Sequence, residues 1–303
     1  MTEHLPVMLQ EFLHYFEGCR ISVFFDGTLG AGGHAAALLK AHPEIERYIG
    51  CDRDLSALEI AKETLKPWRD KVTFVHGNFA DIDQHLEGLG VKEIDGCFFD
   101  LGVSSMQFDQ SKRGFSFSKE GPLDMRMDTT QEMTAEDVVN TWPEKKLGEL
   151  FRDFGEEPRW RQAAKAIVSA RGKRPIKTTK ELAEVVGQAS SFKKKIHPAT
   201  LVFQALRICV NKELESVQAG LQKALQFLAV HGRIGALSFH SLEDRIVKNV
   251  FREASKPIKR LQKEGLYEPL LNVLTKKPVV CTREEARSNP RARSAKLRFA
   301  ERT

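Results

Sequence analysis

From residue 21 the chain alternates short apolar runs with stretches of helical periodicity. Strands are predicted over 21–26 (ISVFFD), 46–51 (ERYIGC), 72–75 (VTFV) and 94–99 (IDGCFF), and helices over 33–41, 54–66 and about 81–88. Short buried-type runs separated by helices predict a parallel sheet covered on both faces, with ligands beyond the carboxyl ends of its strands. Those ends are polar in this chain. Asp26 closes the first strand and Asp52 the second, Gly77, Asn78 and Phe79 follow the third, and Asp100 closes the fourth.

From about 108 to 205 this rhythm stops and the sequence turns polar and helical. TAEDVVNTW opens on a Thr134 and Asp137 capping pair, followed by EKKLGELFRDF, RQAAKAIVSAR and KELAEVVGQAS. The segment reads as an insertion with a small core of its own. Over 212–230, Leu214, Val217, Leu221, Leu225 and Leu228 recur at helical spacing, which predicts a helix packed on the sheet. RIGALSF (233–239) reads as the fifth strand, followed by a helix capped by Ser241 and Asp244. PVVCT (278–282) and KLRFAE (296–301) read as two short strands closing the sheet as an edge hairpin, after a weakly patterned stretch around 255–277. The expected domains are residues 1–107 and 206–303, two parts of one sheet domain, and 108–205, an inserted helical domain that binds substrate.

At 303 residues, 41% hydrophobic and 29% charged, the chain can bury a sizeable core in one large domain or two smaller ones. A net charge of +6 and a pI near 9.0 suit a polyanionic partner, but fit equally a protein that binds no nucleic acid. Cys19, Cys51, Cys97, Cys209 and Cys281 lie far apart without a CxxC pair, which implies a reducing cytosol and no structural metal. The first residues lack a basic head with a long apolar core, and no apolar stretch reaches the ~20 residues of a membrane span. A cytoplasmic protein with no membrane partner is expected.

The polar strand ends centre on VFFDGTLGAGGH (23–34), a strand, a glycine turn and the start of a helix. Glycines at such a turn admit a ligand that any Cβ would repel, and the helix behind them offers unpaired N–H groups. A glycine-rich turn alone is weak, and an ordinary βα turn is the competing reading. Asp52 falls about 20 residues on, where doubly wound nucleotide-binding folds keep the acid that accepts from a ribose diol. Phe79 suits the core and an adenine-facing wall equally well. A dinucleotide needs G-x-G-x-x-G to admit its pyrophosphate, but G-T-L-G-A-G-G-H has no glycine at the sixth place after Gly30. S-adenosylmethionine carries no phosphate and tolerates the looser run. Asp100 opens DLGVSSMQ, placed like the acidic or amide-led motif of amino-group methyltransferases, with Ser104, Ser105 and Gln107 beside it.

These motifs resemble those of the bacterial 16S ribosomal RNA cytosine-N4 methyltransferases, the RsmH or MraW family. HLPVMLQE (4–11), DGTLGAGGH (26–34), CDRD (51–54), HGNF (76–79), DLGVSSMQ (100–107), RGFSF (113–117), GPLDMRMD (121–128), HPAT and FQALRI (197–208), SFHSLEDRIVK (238–248) and NPRARSAKLR (289–298) are similar to that family's blocks, in its order. Two positions depart from it: Phe154 stands where tyrosine is usual, and Leu201 where a basic residue usually follows HPAT, which removes a possible phosphate contact. The resemblance implies an α/β fold, a Rossmann-like S-adenosylmethionine-dependent methyltransferase sheet with an inserted helical domain. It also implies N4-methylation of a decoding-region cytosine in 16S rRNA within the small ribosomal subunit. The oligomeric state stays open. Together with the strand-end positions it places Gly32, Gly33 and His34 at the methionine end of the cofactor and Asp52 on its ribose. Phe79, Asp100 and Gln107 then lie near the adenine or the reacting sulfur, with Asp100 catalytic.

Cytosine's exocyclic amine is a poor nucleophile because its lone pair is delocalised into the ring. A carboxylate accepting from N4–H localises density on nitrogen, and the proton leaves readily once the methylated amine is cationic, so no strong base is needed. His240 at the fifth strand's end is accordingly expected to be structural. A target base inside a helix has to be flipped or already unpaired. Arg159, Arg161, Lys165, Arg171, Lys173, Arg174, Lys177 and the lysines at 193–195 are candidates for RNA contact or for a solvated helix face. Met125, Arg126 and Met127 suit either substrate contact or a core with an ion pair. A nicotinamide-dependent oxidoreductase and a catalytically inactive RNA-binding factor are the competing functions, separable by cofactor binding and by methyl transfer into RNA.

Overall fold

The computed structural model describes residues 6–102, 110–188, 197–257 and 269–303. The chain divides into two compact units, the first made of Met1–Gly102 and Leu214–Thr303 and the second of Val103–Glu213.

Unit 1 contains a seven-stranded sheet in the order β3-β2-β1-β4-β5-β7-β6. Its strands are β1 (Val23–Asp26), β2 (Arg47–Asp52), β3 (Val72–His76), β4 (Ile94–Asp100), β5 (Leu228–Ser238), β6 (Leu271–Val273) and β7 (Lys296–Arg302). The first five pair in parallel, whereas β7 runs antiparallel between β5 and β6. This is an open α/β sheet, parallel over five strands with an antiparallel pair at one side. Side chains alternate along a strand, so each strand feeds two cores. Phe24, Tyr48, Phe98, Leu237 and Phe299 face one side, with α1 (Leu9–Phe16), α2 (Gly33–Ala41) and α3 (Leu55–Thr64). Phe25, Ile49, Cys97, Phe99 and Ile234 face the other, with α4 (Ile82–Gly88) and with the helices Glu213–Phe227 and Ser241–Ala254.

Unit 2 is helical: α5 (Ala135–Thr141), α6 (Glu144–Asp153), α7 (Trp160–Arg171), α8 (Thr179–Gln188) and α9 (Ala199–Asn211) enclose a core around Leu147, Phe151, Ile167, Leu182 and Leu206. Helix α5 starts on the expected Thr134 and Asp137 capping box. Met125 and Met127 lie in this core, and Arg126 makes two 2.8 Å bonds to Asp124, so the trio is structural. The boundary expected at 205/206 falls inside α9. The unit ends at Glu213 because Ala205, Leu206 and Val210 on that helix belong to the unit 2 core. Among the described residues, the helices after α9 are α10 (Glu213–Phe227), α11 (Ser241–Ala254) and α12 (Arg283–Ser288).

Three expectations for unit 1 need correction. The edge partner of β7 is Leu271–Val273, in the stretch read as weakly patterned, whereas PVVCT makes only the Val279–Leu297 bridge. Three residues with one outward asparagine give too little periodicity to register as a strand. β5 begins at Leu228, five residues before the expected start, because the predicted helix ends early at Phe227. Helix α11 is capped by His240 and Glu243, one residue before the expected pair: Glu243 accepts from the N–H groups of Phe239 and His240. Asp244 instead bonds Arg298 at 2.6 Å. The five cysteines are free thiols, and no helix among the described residues is long and apolar enough to cross a membrane.

Candidate functional site

Register brings the polar strand ends together. Asp26 pairs with Gly50 on β2 and Phe98 on β4, so Asp52 and Asp100 each stand two residues further along their strands. An even offset keeps the three carboxylates on one side of the sheet, with Asp52 and Asp100 about 6.7 Å beyond Asp26. The glycine turn crosses this edge. Gly27 sits where a Cβ would lie 2.5 Å from the Phe99 ring, so only glycine lets the turn close against β4. Gly30 adopts φ +54°, with only the Thr28 carbonyl oxygen, at 3.9 Å, near its Cβ position, and its N–H donates to Asp52 Oδ2 at 2.8 Å. The other Asp52 oxygen accepts from Asp54 N–H at 2.9 Å. Both bonds fix the carboxylate in place and leave each oxygen a second lone pair for a ribose diol.

Thr28 links the turn to Asp100: its Oγ1 accepts the Asp100 N–H at 2.5 Å. Asp26 is buried, accepting from Thr28 N–H at 3.0 Å and from the Tyr48 hydroxyl at 2.8 Å. Burial first, with the Asp52 carboxylate adding to it, pushes Asp26 up to about 7 despite those two bonds. Asp100, whose side chain keeps 28% of its surface exposed, is raised well above the usual carboxylate range by burial and by the charges of Asp26 and Glu243. Asp52 is raised as well, again mainly by burial. Three carboxylates that each hold protons too tightly form a site short of positive charge.

Gly32 (φ +83°) is the N-cap of α2, and Gly33 begins the helix where a Cβ would meet Pro6 at 2.7 Å. His34 is buried, with Nε2 3.0 Å from the Val7 carbonyl and Nδ1 3.6 Å from Asp100 Oδ2. Burial lowers it to about 4, so it is neutral at pH 7. Since a carbonyl can only accept, Nε2 carries the hydrogen and Nδ1 turns a lone pair toward Asp100. The imidazole is thus committed inward and the Gly32 N–H donates to the Leu29 carbonyl at 2.9 Å, so what this turn offers a ligand is the main-chain N–H of Gly33 and His34 at the start of α2. Phe79 is half-buried: its ring lies 5.3 Å from that of Phe99, while Gly220 approaches where a Cβ would lie 2.6 Å from the ring. The Arg53 guanidinium stands 5.8 Å from the ring centre. Gln107, Ser104, Ser105 and the lysines at 193–195 lie outside the described residues.

Sequence reasoning missed Thr28, Tyr48 and Glu243. Tyr48 precedes Gly50 by two residues and so faces the same side as Asp26, a relation visible only once the β1–β2 register is known.

A match to the MraW methylase family spans residues 1–303. The chain belongs to the MraW methylase family. A relative named ribosomal RNA small subunit methyltransferase H, from Protochlamydia amoebophila, is 48% identical over 98% of this chain and 96% of its own. The protein of the same name from Persephonella marina is 46% identical over the full length of both. A solved rRNA methylase from Streptococcus thermophilus aligns over 100% of this chain and 98% of its own at a TM-score of 0.44 and 11% identity, a distant likeness. The cofactor of this MraW-family methylase is S-adenosylmethionine. The donor set fits it: a cationic sulfonium relieves the crowding of Asp26, Asp52 and Asp100, which an anionic pyrophosphate would worsen.

Proposed function

We propose that this protein methylates N4 of a cytosine in the decoding region of 16S rRNA, acting in the cytoplasm on RNA of the small ribosomal subunit. Transfer from S-adenosylmethionine to ribosomal RNA is the broader activity, and the choice of atom is the finer one. The observation that carries it is Asp100, an acid at the carboxyl edge whose backbone is tied by Thr28 to the glycine turn and whose side chain faces the same side as Asp26 and Asp52.

S-adenosylmethionine supplies the electrophilic methyl group when bound. Main-chain N–H groups at Gly33 and His34, next to Gly32, receive its carboxylate, Asp52 accepts from its ribose, and the exposed part of Phe79 borders its adenine, with Gln107 assigned to the same region by the sequence. Asp100 accepts an N4 hydrogen and directs the nitrogen lone pair along the line of displacement. A cation beside Asp100 draws it back to the carboxylate form, so it is an acceptor when the site is filled. Its high proton affinity then lets it take the N4 proton once nitrogen has become cationic. The neutral His34 lone pair at 3.6 Å adds no competing charge.

The test is the modification state of 16S rRNA in cells with and without the gene, read by mass spectrometry of the decoding region. N4-methylcytosine should vanish in the deletion and return on complementation. Persistence of that nucleotide would show that this protein modifies another atom or another site.

A further inference from the structure

On the α11 side of unit 1, between that helix and the β6–β7 edge, lies a cavity of about 660 Å³. Its walls include the half-buried Pro269 and Val273, which form an apolar floor over the buried Phe251 and Leu271, and its rim carries Lys248, Arg252 and Lys276. No aspartate or glutamate side chain lines it among the described residues. Arg298 also lines it, but that side chain is buried and committed to Asp244 at 2.6 Å. Lys248 and Lys276 are exposed and have no acidic partner among the described residues. Arg252 meets only its neighbour Glu253, at 3.6 Å with both side chains 58% exposed, a pair too solvated to neutralise it. Lys248 and Arg252 are one helical turn apart, so both project to the same side of α11.

The cavity lies on the face of the sheet opposite Asp100, with the core of Phe99 and Ile234, and reaches toward the reaction edge at Arg298. Asp100 pairs with Leu237, Leu237 pairs with Leu297, and Arg298 is the next residue. Two strand spacings, roughly 10 Å, separate Asp100 from that rung. An apolar floor under a cationic rim matches the two halves of a nucleotide, the flat face of a base and its phosphate. A site for inorganic anions would need no such floor.

We propose that this cavity holds a second nucleotide of the RNA substrate, in the same strand as the target, with its base on Pro269 and Val273 and its phosphate on the Lys248, Arg252 and Lys276 rim. The inference rests on the rRNA reading above and extends it, giving unit 1 an RNA contact of its own.

The test uses the double variant Lys248→Gln and Lys276→Gln in the full-length protein. Affinity for a single-stranded RNA bearing the target sequence should fall about tenfold or more at ~0.1 M salt, with the slope of log K against log salt shallower by roughly 1.4, the effect of losing two phosphate contacts. Melting temperature and S-adenosylmethionine affinity should not change. Separately, cytidine 5′-monophosphate added to isotope-labelled wild-type protein should shift the amides of Asn272 and Thr275, and the double variant should weaken that response. An unchanged salt slope in the folded double variant overturns the proposal. So does full RNA affinity combined with poor methylation of assembled small subunits, which would make the cavity a docking site for a ribosomal protein. The mononucleotide titration involves no methyl transfer: a response at Asn272 in a protein that fails to methylate rRNA would sink the rRNA reading and leave the nucleotide cavity standing.

Discussion

At the scale of single residues, Asp100 and its neighbours define what the site can do. If Asp100 acts in the transition state, Asp100→Ala should lower the single-turnover rate at saturating cofactor by ~100-fold or more, with RNA affinity little changed. Asp100→Asn, which keeps an acceptor oxygen but no charge, should be slow and not inactive. Full activity in a folded Asp100→Ala protein would end that assignment. Asp26 and His34 give a second test through pH. Asp26 binds its proton more tightly in the folded state, so its stabilisation is present below about pH 4 and is lost as pH rises toward about 7. His34 is the reverse: the unfolded chain takes up a proton near 6.5 and the folded one only near 4, so stability is lost as pH falls between those values. Each shift corresponds to ~3–4 kcal/mol over its window. Denaturant titrations across pH 4–7 should therefore show Asp26→Asn gaining stability with rising pH relative to wild type, and His34→Gln losing it. Parallel curves for all three proteins would mean that these groups are not shifted as their burial requires.

At the scale of elements, the turns and caps hold the edge in register. Glu243 is fully buried at the start of α11 and accepts two main-chain N–H groups. Glu243→Ala should destabilise unit 1 by about 1–2 kcal/mol, the scale of losing a helix cap. Thermal denaturation would reveal this, and an unaltered melting temperature would show that the helix start is held by other contacts. Sequence patterning located α11 and the carboxyl end of its strand, yet chose the wrong capping pair, because SLED offers a serine and an acid three apart as readily as HSLE offers a histidine and an acid. Only the packing of Asp244 against Arg298 removes it from the cap. The same limit explains β6, a strand too short for its period to show.

At the scale of the whole molecule, two units carry two classes of basic residue. In unit 2, Lys173 and Lys177 are exposed, while Arg174, also exposed, pairs with Glu181 at 3.2 Å. Arg171 donates to the Val139 carbonyl at 2.6 Å, which makes it a structural residue. Replacing Lys173, Arg174 and Lys177 by glutamine should lower RNA affinity and flatten its salt dependence while leaving S-adenosylmethionine affinity unchanged. A salt slope equal to wild type would move the RNA path off this unit. What the sequence by itself determined is local. The βα rhythm, the glycine turn, the Thr134 capping box and the acids at the strand ends follow from periodicity and turn chemistry within a few residues. The tertiary structure decided what depends on partners far apart in the chain. Strand register put Asp26, Asp52 and Asp100 on one side, and burial raised their hold on protons. The antiparallel return of β7 brought residues 248, 276 and 298 around one cavity, because charge and hydrogen bonding act through space and not along the sequence.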